Sequence, residues 1–334
     1  MKKEKLIKRE WSIQDIWNEQ LVLQRQDRKL EPRNHIWASE IGKDYYDRYL
    51  KMTGVKTDFE YDDRKLRVFA AGDFFERIIG YVLVISGLLK FDNKWYSIPE
   101  DKDHLKVSVK PDYIAGGKPD WKKIKLELET NPFSMVMPVV GRTAQALVKQ
   151  LSEKYPNGLE DLVYEIKSIN SMLFWSKQKY LQTAYPHHTL QLFTGMKAAQ
   201  LPQGRVLYIS KDDLTIAEFS VSLDDKELND SWEKDVREMT NFIRNKIEPP
   251  KPSEIVFDKT KSVSFQLDKK KYKTEGAYVA NWVVAWSMYL PTITGYKTRE
   301  EWEEKIKPEI KELNDKLKDK FKENLKVGNN KINK

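Results

Sequence analysis

LVYEIKSI (162–169) is a largely apolar run that carries one carboxylate and one ammonium. Its valine, tyrosine and isoleucines predict a β-strand. Side chains alternate along a strand, so Glu165 and Lys167 project from one face and Tyr164 and Ile166 from the other. An acid and a base side by side on so apolar a strand need a reason. A bound Mg²⁺ supplies one, because it takes oxygen ligands, usually one or two carboxylates with waters and a substrate phosphate. Lys167 would then hold the attacking water or offset charge on the scissile phosphate.

A second carboxylate stands upstream in KPDYIA (110–115), where Asp112 closes the alternating strand Leu105–Val109. Asp120, in the turn GGKPDWKK (116–123) before LELE (126–129), is its rival. Asp112 is preferred for its strand context, and the register between the two stays open. The tripeptide E-x-K is a weak signal by itself, and it recurs at Glu309–Lys311. That copy lies in a charged amphipathic helix over 298–327, whose apolar positions Ile306, Ile310, Leu313, Leu317, Phe321 and Leu325 recur at helical spacing. It has neither strand flanks nor an upstream partner.

Around this pair the pattern predicts an opening helix over 11–23 and a second over 38–54, capped by Ser39 and ended by Gly54. A third helix covers 69–88. Strands follow at Trp95–Ile98, Leu105–Val109, Ile124–Leu128 and Leu162–Ile169. An excursion over 130–160 separates the last two, with a helical piece at Thr143–Leu151. A helix opens after Pro186 and ends near Gln200, then strands Arg205–Ser210 and Thr215–Leu223 flank the turn KDDL (211–214). Helix 230–246 runs into the breaker EPPKP (248–252), a domain boundary. The final GNNKINK is expected to fray, and no repeat of fixed period appears. The expected class is α/β (α+β), a mixed central sheet flanked by helices with helical N- and C-terminal extensions. A core over 1–248 precedes an extension over 249–334.

The 334 residues, 40% of them apolar, are enough for a sizeable core, with roughly 75% of the unfolded surface buried. Fifty-nine basic against 51 acidic residues leave a net charge of +8, which suits attraction to a polyanion but equally a solvated Lys/Glu surface. With no cysteine, disulfides, thiol catalysis, cysteine-ligated zinc and iron–sulfur clusters are excluded. The start, MKKEKLIKREW, has no apolar run of signal-peptide length, and no stretch is long enough to span a bilayer, so a cytoplasmic protein is expected. His187 and His188 are adjacent rather than helically spaced, which argues against zinc. His35 is a candidate phosphate contact. GRTAQA (141–146) lacks the glycine and lysine of a phosphate-binding loop, so no nucleotide cofactor is expected.

The order of these elements resembles the RecB/Cas4/phage-exonuclease branch of the PD-(D/E)xK nuclease superfamily. AAGDFFERI (70–78) supplies a helical glycine, Gly72, with Glu76 four residues on. Pro111-Asp112, then Glu165-Ile166-Lys167, then a glutamine helix in HTLQLFTGMK (188–197) follow in family order. The resemblance implies a restriction-endonuclease-like core and a Mg²⁺- or Mn²⁺-dependent deoxyribonuclease, exonuclease-like, working in replication, recombination, repair or phage DNA processing. The implied setting is a bacterial cell or a phage-infected host. It implies that Asp112, Glu165 and the carbonyl of Ile166 bind metal with Glu76 as a further ligand, that Lys167 is the catalytic lysine, and that Gln191 orients the site or touches DNA. Arg48, Lys177 and Lys179 are candidates for a DNA-binding lining. The implied partners are DNA and a helicase, recombinase or single-strand-binding protein. The chain departs from the family in carrying Gly195 where a tyrosine is usual, and in a long interval between Asp112 and Glu165. It also lacks the cysteines that relatives carry near NWVVAWSMYLPTITGY (281–296), where Trp282, Trp286 and Tyr289 are expected to hold the tail by packing. A non-catalytic DNA-binding module of the same fold and an unrelated interaction protein built on Lys/Glu-rich helices are the alternative readings.

Overall fold

The computed structural model describes residues 12–26, 31–59, 62–92, 94–117, 119–130, 138–175, 181–267 and 269–332. The fold is α+β with helical extensions, and it divides into two compact units. The first holds the described residues up to 43 and from 62 to 247. The second holds 44–59 and those from 248 onward, so it is discontinuous in sequence.

In the first unit, helix α1 (Ile13–Gln26) and strand β1 (His35–Trp37) precede helix α3 (Asp63–Ile85), helix α2 (Tyr45–Met52) belonging to the second unit. Strands β2 (Leu89–Asp92), β3 (Tyr96–Ile98), β4 (Lys106–Val109) and β5 (Tyr113–Gly117) follow. Then come helices α4 (Trp121–Thr130) and α5 (Pro138–Lys154), strand β6 (Leu159–Ile169), helix α6 (Pro186–Ala199), strands β7 (Gln203–Ser210) and β8 (Ile216–Ser222), and helix α7 (Lys226–Arg244). The main sheet has the order β2-β5-β6-β7-β8. Only β6 and β7 pair in parallel, with Lys167 opposite Tyr208. A parallel pair needs a crossover, and α6 is part of it. Tyr113, Ile166, Leu207 and Ile209 form an apolar layer under Phe75, Ile79 and Leu83 of α3. Gly80 permits this approach, since a Cβ there would meet the Tyr113 hydroxyl at 2.1 Å. A smaller sheet, β1-β4-β3, pairs β1 and β4 in parallel and β3 and β4 antiparallel. Its inner residues Ile36 and Val107 are fully buried.

Several expected elements change. The predicted strand Ile124–Leu128 is part of α4. WKKIKLELET alternates like a strand, but Trp121 and Ile124, three apart, pack together on Val148, and the Asp120 carboxylate accepts the Lys123 N–H at 3.0 Å. The helix expected over 38–54 is a 3₁₀ turn at Ala38–Glu40 followed by α2, whose cap is Asp44 rather than Ser39, its carboxylate accepting from the N–H groups of Tyr46 and Asp47. Gly54 ends the turn in the left-handed region, at φ 77°.

In the second unit the expected plain extension contains strands β9 (Ile255–Asp258), β10 (Ser264–Leu267), β11 (Lys270–Lys273) and β12 (Ala277–Ala280), paired antiparallel as β10-β11 and β12-β9. Helix α8 (Arg299–Ile332) extends into the segment expected to fray, whose last two residues lie outside the described residues. The core joins Tyr46 and Leu50 of α2 to Val284, Tyr289, Leu290, Trp302 and Ile306. Tyr289 is fully buried, while Trp282 and Trp286 are 67% and 64% exposed, and the Trp286 ring lies 4.5 Å from the Arg299 guanidinium at the start of α8. The second E-x-K copy lies in α8 with Glu309 exposed. Among the described residues no helix is long and apolar enough to cross a membrane.

Candidate active site

The strand β6 presents Glu165 and Lys167 on one face, as its alternation requires. Asp112 lies in the short link between β4 and β5 rather than at the end of a strand. The antiparallel pairing of β5 with β6 brings it back over Glu165–Lys167: the Ile166 N–H donates to its Oδ2 at 2.6 Å, and that oxygen lies 4.0 Å from the Lys167 ammonium. Lys167 donates a hydrogen bond to Glu165. Glu165 is 1% exposed. Asp120, by contrast, is exposed and spent on capping α4, which leaves Asp112 as the aspartate of the cluster.

Glu76 comes from α3, one turn beyond Gly72, where a Cβ would stand 3.7 Å from the Ser168 hydroxyl. The main-chain carbonyl of Glu76 accepts from the Tyr113 hydroxyl at 3.3 Å, which ties this turn to β5. Burial, and then repulsion from Asp112, pushes the Glu76 carboxyl up to about 7. Burial raises the Asp112 carboxyl as well, against the pull of Lys167 and the Ile166 N–H. Glu165 is raised by burial and by Asp112. Burial opposes charge on Lys167, yet Glu165 and Asp112 hold its ammonium above the ordinary lysine range. Three carboxylates share one ammonium, a surplus of negative charge that a cation would relieve.

Around this cluster the opening of α6 forms an aromatic wall. The Tyr208 hydroxyl accepts the Tyr185 N–H at 2.9 Å and contacts Nδ1 of His188 at 2.8 Å. Adjacent histidines do not share a helix face, but at this helix start the rings of His187 and His188 lie 4.1 Å apart. Burial, then His187 and Lys167, lowers His188 to about 2. Gln191 is half-buried on the same helix. Gly195, where a tyrosine was expected, has a packing role: a Cβ there would meet Pro111 and Val163 side chains at 3.4 Å, so its absence seats α6 against the Asp112 link. Tyr208 carried no sequence signal of its own, and Gly195 was marked only as a departure from the family pattern, not for packing. The parallel register of β7 alone places Tyr208 beside Lys167.

The remaining candidates separate. His35 is on β1, half-buried, with its ring 5.2 Å from that of Trp37. Arg48 belongs to the second unit, 1% exposed with its guanidinium 5.4 Å from the Tyr45 ring, so it is not a surface contact for phosphate. Lys177 and Lys179 lie outside the described residues. Among the described residues no three His, Asp or Glu side chains form a ready-made metal cage. The oxygen donors on offer are those of Asp112 and Glu165, with Glu76 near enough for the carboxylates to repel one another.

No family model matches the sequence, and no curated protein matches it. Among solved structures the chain is similar to the crystal structure of SSO0001, with 13% identity over 72% of this chain and 89% of that one, at a TM-score of 0.43. A likeness at that level carries no argument about function.

Proposed function

We propose that the chain is a Mg²⁺- or Mn²⁺-dependent deoxyribonuclease, exonuclease-like and cytoplasmic, with DNA as its partner. One observation carries this reading: Glu165 and Lys167 are sequestered together on a sheet strand, and Asp112 closes on the same ammonium. Burying charge costs several kcal/mol per ion, and a protein that needed only stability gains more from an apolar pair. The donor set fits a hard divalent cation, for which two carboxylates with water and substrate oxygens suffice. Asp112, Glu165 and the main-chain carbonyl of Ile166 would hold it, with Glu76 as a further ligand. When bound, the metal supplies positive charge at the scissile phosphate.

The protein's own residues do the rest. The Ile166 N–H fixes the Asp112 carboxylate, and the Glu165 carboxylate fixes the direction of the Lys167 ammonium. Held above its ordinary range, that ammonium stays charged, orients the attacking water and offsets charge on the phosphate. Tyr208 and His188 close the site on the α6 side and exclude solvent from it. Gln191 and His35 are the proposed DNA contacts. The test is incubation of linear and circular DNA with Mg²⁺, with Mn²⁺ and with EDTA. Metal-dependent cleavage is expected, and a purified protein that leaves both substrates intact under all three conditions would refute the reading.

A further inference from the structure

We propose that the outer face of the three-stranded sheet β1-β4-β3 is a stacking platform for unpaired nucleotides of a DNA strand, built by Trp37, Trp95 and His35 with Lys106 as its exposed cation. The register sets this face. Trp37 and Ser97 both lie opposite Ser108, and His35 lies opposite Lys106, so these side chains share one surface while Ile36 and Val107 turn inward. Trp95 stands two residues before Ser97 and joins the same surface.

The rings touch in sequence. His35 meets Trp37 edge-on at 5.2 Å, and Trp37 meets Trp95 edge-on at 4.9 Å. An edge-to-face pair leaves one ring face uncovered by the other, and Trp95 is 54% exposed. On the inner face Ile36 and Val107 are fully buried, and on the aromatic side Ser108 is buried while Trp95 and Lys106 are exposed. The Arg33 guanidinium lies 5.6 Å from the Trp37 ring centre, where Glu40 holds it through an ion pair at 2.5 Å. Lys106 is exposed. Burial, and then the charges of Arg33 and Lys106, lowers the His35 pKa.

Rings that offer π-faces, with cations beside them for phosphates, are the combination by which proteins hold single strands without reading sequence. Bases stacked inside a duplex cannot use such a surface. The central strand of the platform also leads to the cluster: Ser108, opposite Trp37, is four residues before Asp112, roughly 13 Å of extended chain. The inference rests on the nuclease reading only for its place in a reaction, where it names an unpaired strand as the form of substrate that approaches Asp112.

The test uses the full-length protein in EDTA, with fluorescence anisotropy of a labelled oligothymidylate of about 15 nucleotides and a duplex of equal length. Trp95→Ala is expected to weaken single-strand binding by roughly 5- to 150-fold, the range for one lost aromatic stack, and to change duplex binding less than about twofold. Trp95→Phe keeps a ring and should retain most of the affinity. Lys106→Gln should flatten the salt dependence by roughly 0.7 per lost phosphate contact. Circular dichroism checks that each variant folds. Wild-type protein that does not bind the oligonucleotide, or equal binding by the Ala and parent proteins, overturns the platform. Equal losses on single strand and duplex overturn stacking, and tighter binding of oligouridylate overturns the assignment to DNA. Cleavage by a wild type whose binding ignores Trp95 removes the platform alone. Trp95-dependent binding by a protein that never cleaves removes the nuclease reading alone.

Discussion

His188 makes the fold sensitive to acid in a way that can be isolated. The Tyr208 hydroxyl accepts from the Tyr185 N–H, so its single proton is left for Nδ1 of His188, which must be unprotonated to receive it. Burial, then His187, Lys167 and Lys43, takes the imidazole from 6.5 down to about 2. Above about pH 6.5 the ring is neutral in folded and unfolded chains and contributes no pH dependence. As pH falls below that value the unfolded chain binds a proton that the folded one refuses. Stability then drops by about 1.4 kcal/mol per unit, until pH nears the folded value. Between about pH 7.5 and 5 the loss through this one residue is about 2 kcal/mol. Glu76, Asp112 and Glu165 act in the opposite sense. Their folded values are raised, so acid favours the folded state through them. A comparison with His188→Asn removes that background, because Asn can still accept from the Tyr208 hydroxyl but does not titrate. Urea unfolding at the two pH values, followed by tryptophan fluorescence, should show the wild type losing about 2 kcal/mol more than the variant. Equal losses within about 0.5 kcal/mol would show that the imidazole is not held neutral, and the assigned hydrogen-bond directions would fall with it.

Lys167→Ala should keep the fold and lower metal-dependent cleavage by roughly a thousandfold, the scale of a lost electrostatic contact to developing charge; a rate within a few-fold of wild type in single-turnover assays would remove it from the chemistry. Asp112→Asn should abolish cleavage, whereas Asp120→Ala should leave the rate unchanged and cost about 1 kcal/mol of stability as a lost helix cap, measured by urea unfolding. The reverse pattern of activities would restore Asp120 as the working aspartate. Gly80→Ala places a methyl on the Tyr113 hydroxyl, so it should destabilise by about 1–3 kcal/mol through overpacking, and an unchanged melting midpoint would contradict the packing of α3 on β5.

The site was legible where local pattern and topology agree. Glu165 and Lys167 share a face because strand alternation is a two-residue rule, and a tertiary context is not needed to apply it. Asp112 was singled out for an imperfect reason: the alternation of Leu105–Val109 was visible, but the break into β5 two residues after Pro111 was not, since KPDYIA reads as one continuous stretch. LELE misled because alternation in a short segment also fits a helix when every third residue finds a partner, as Trp121 and Ile124 find in Val148. The strands of the second unit escaped because each is only four residues long, and β11, KKYK, carries three lysines and reads as a solvated charge run. Tyr208 and the aromatic sheet face depend on pairing register across long sequence gaps, and Gly195 depends on where helix α6 packs on Pro111 and Val163. A one-residue slip of the strands would turn Tyr208 and the aromatic face away, and the chain does not write that register into any local motif.

The split second unit imposes an order on synthesis. Helix α2 leaves the ribosome early, but the residues that complete its core, from Val284 to Ile306, follow more than two hundred residues later. At 5–20 residues per second, Tyr46 and Leu50 wait roughly 10–50 s for those partners. The first unit has its whole sequence by residue 247 and can fold in that interval with 44–60 looped out. Until those partners emerge, the nascent chain carries α2 with the apolar side of Tyr46 and Leu50 uncovered. A stop codon placed in EPPKP would leave it permanently so, giving a truncated protein that has every residue of the carboxylate cluster and a lasting invitation to chaperones and proteases.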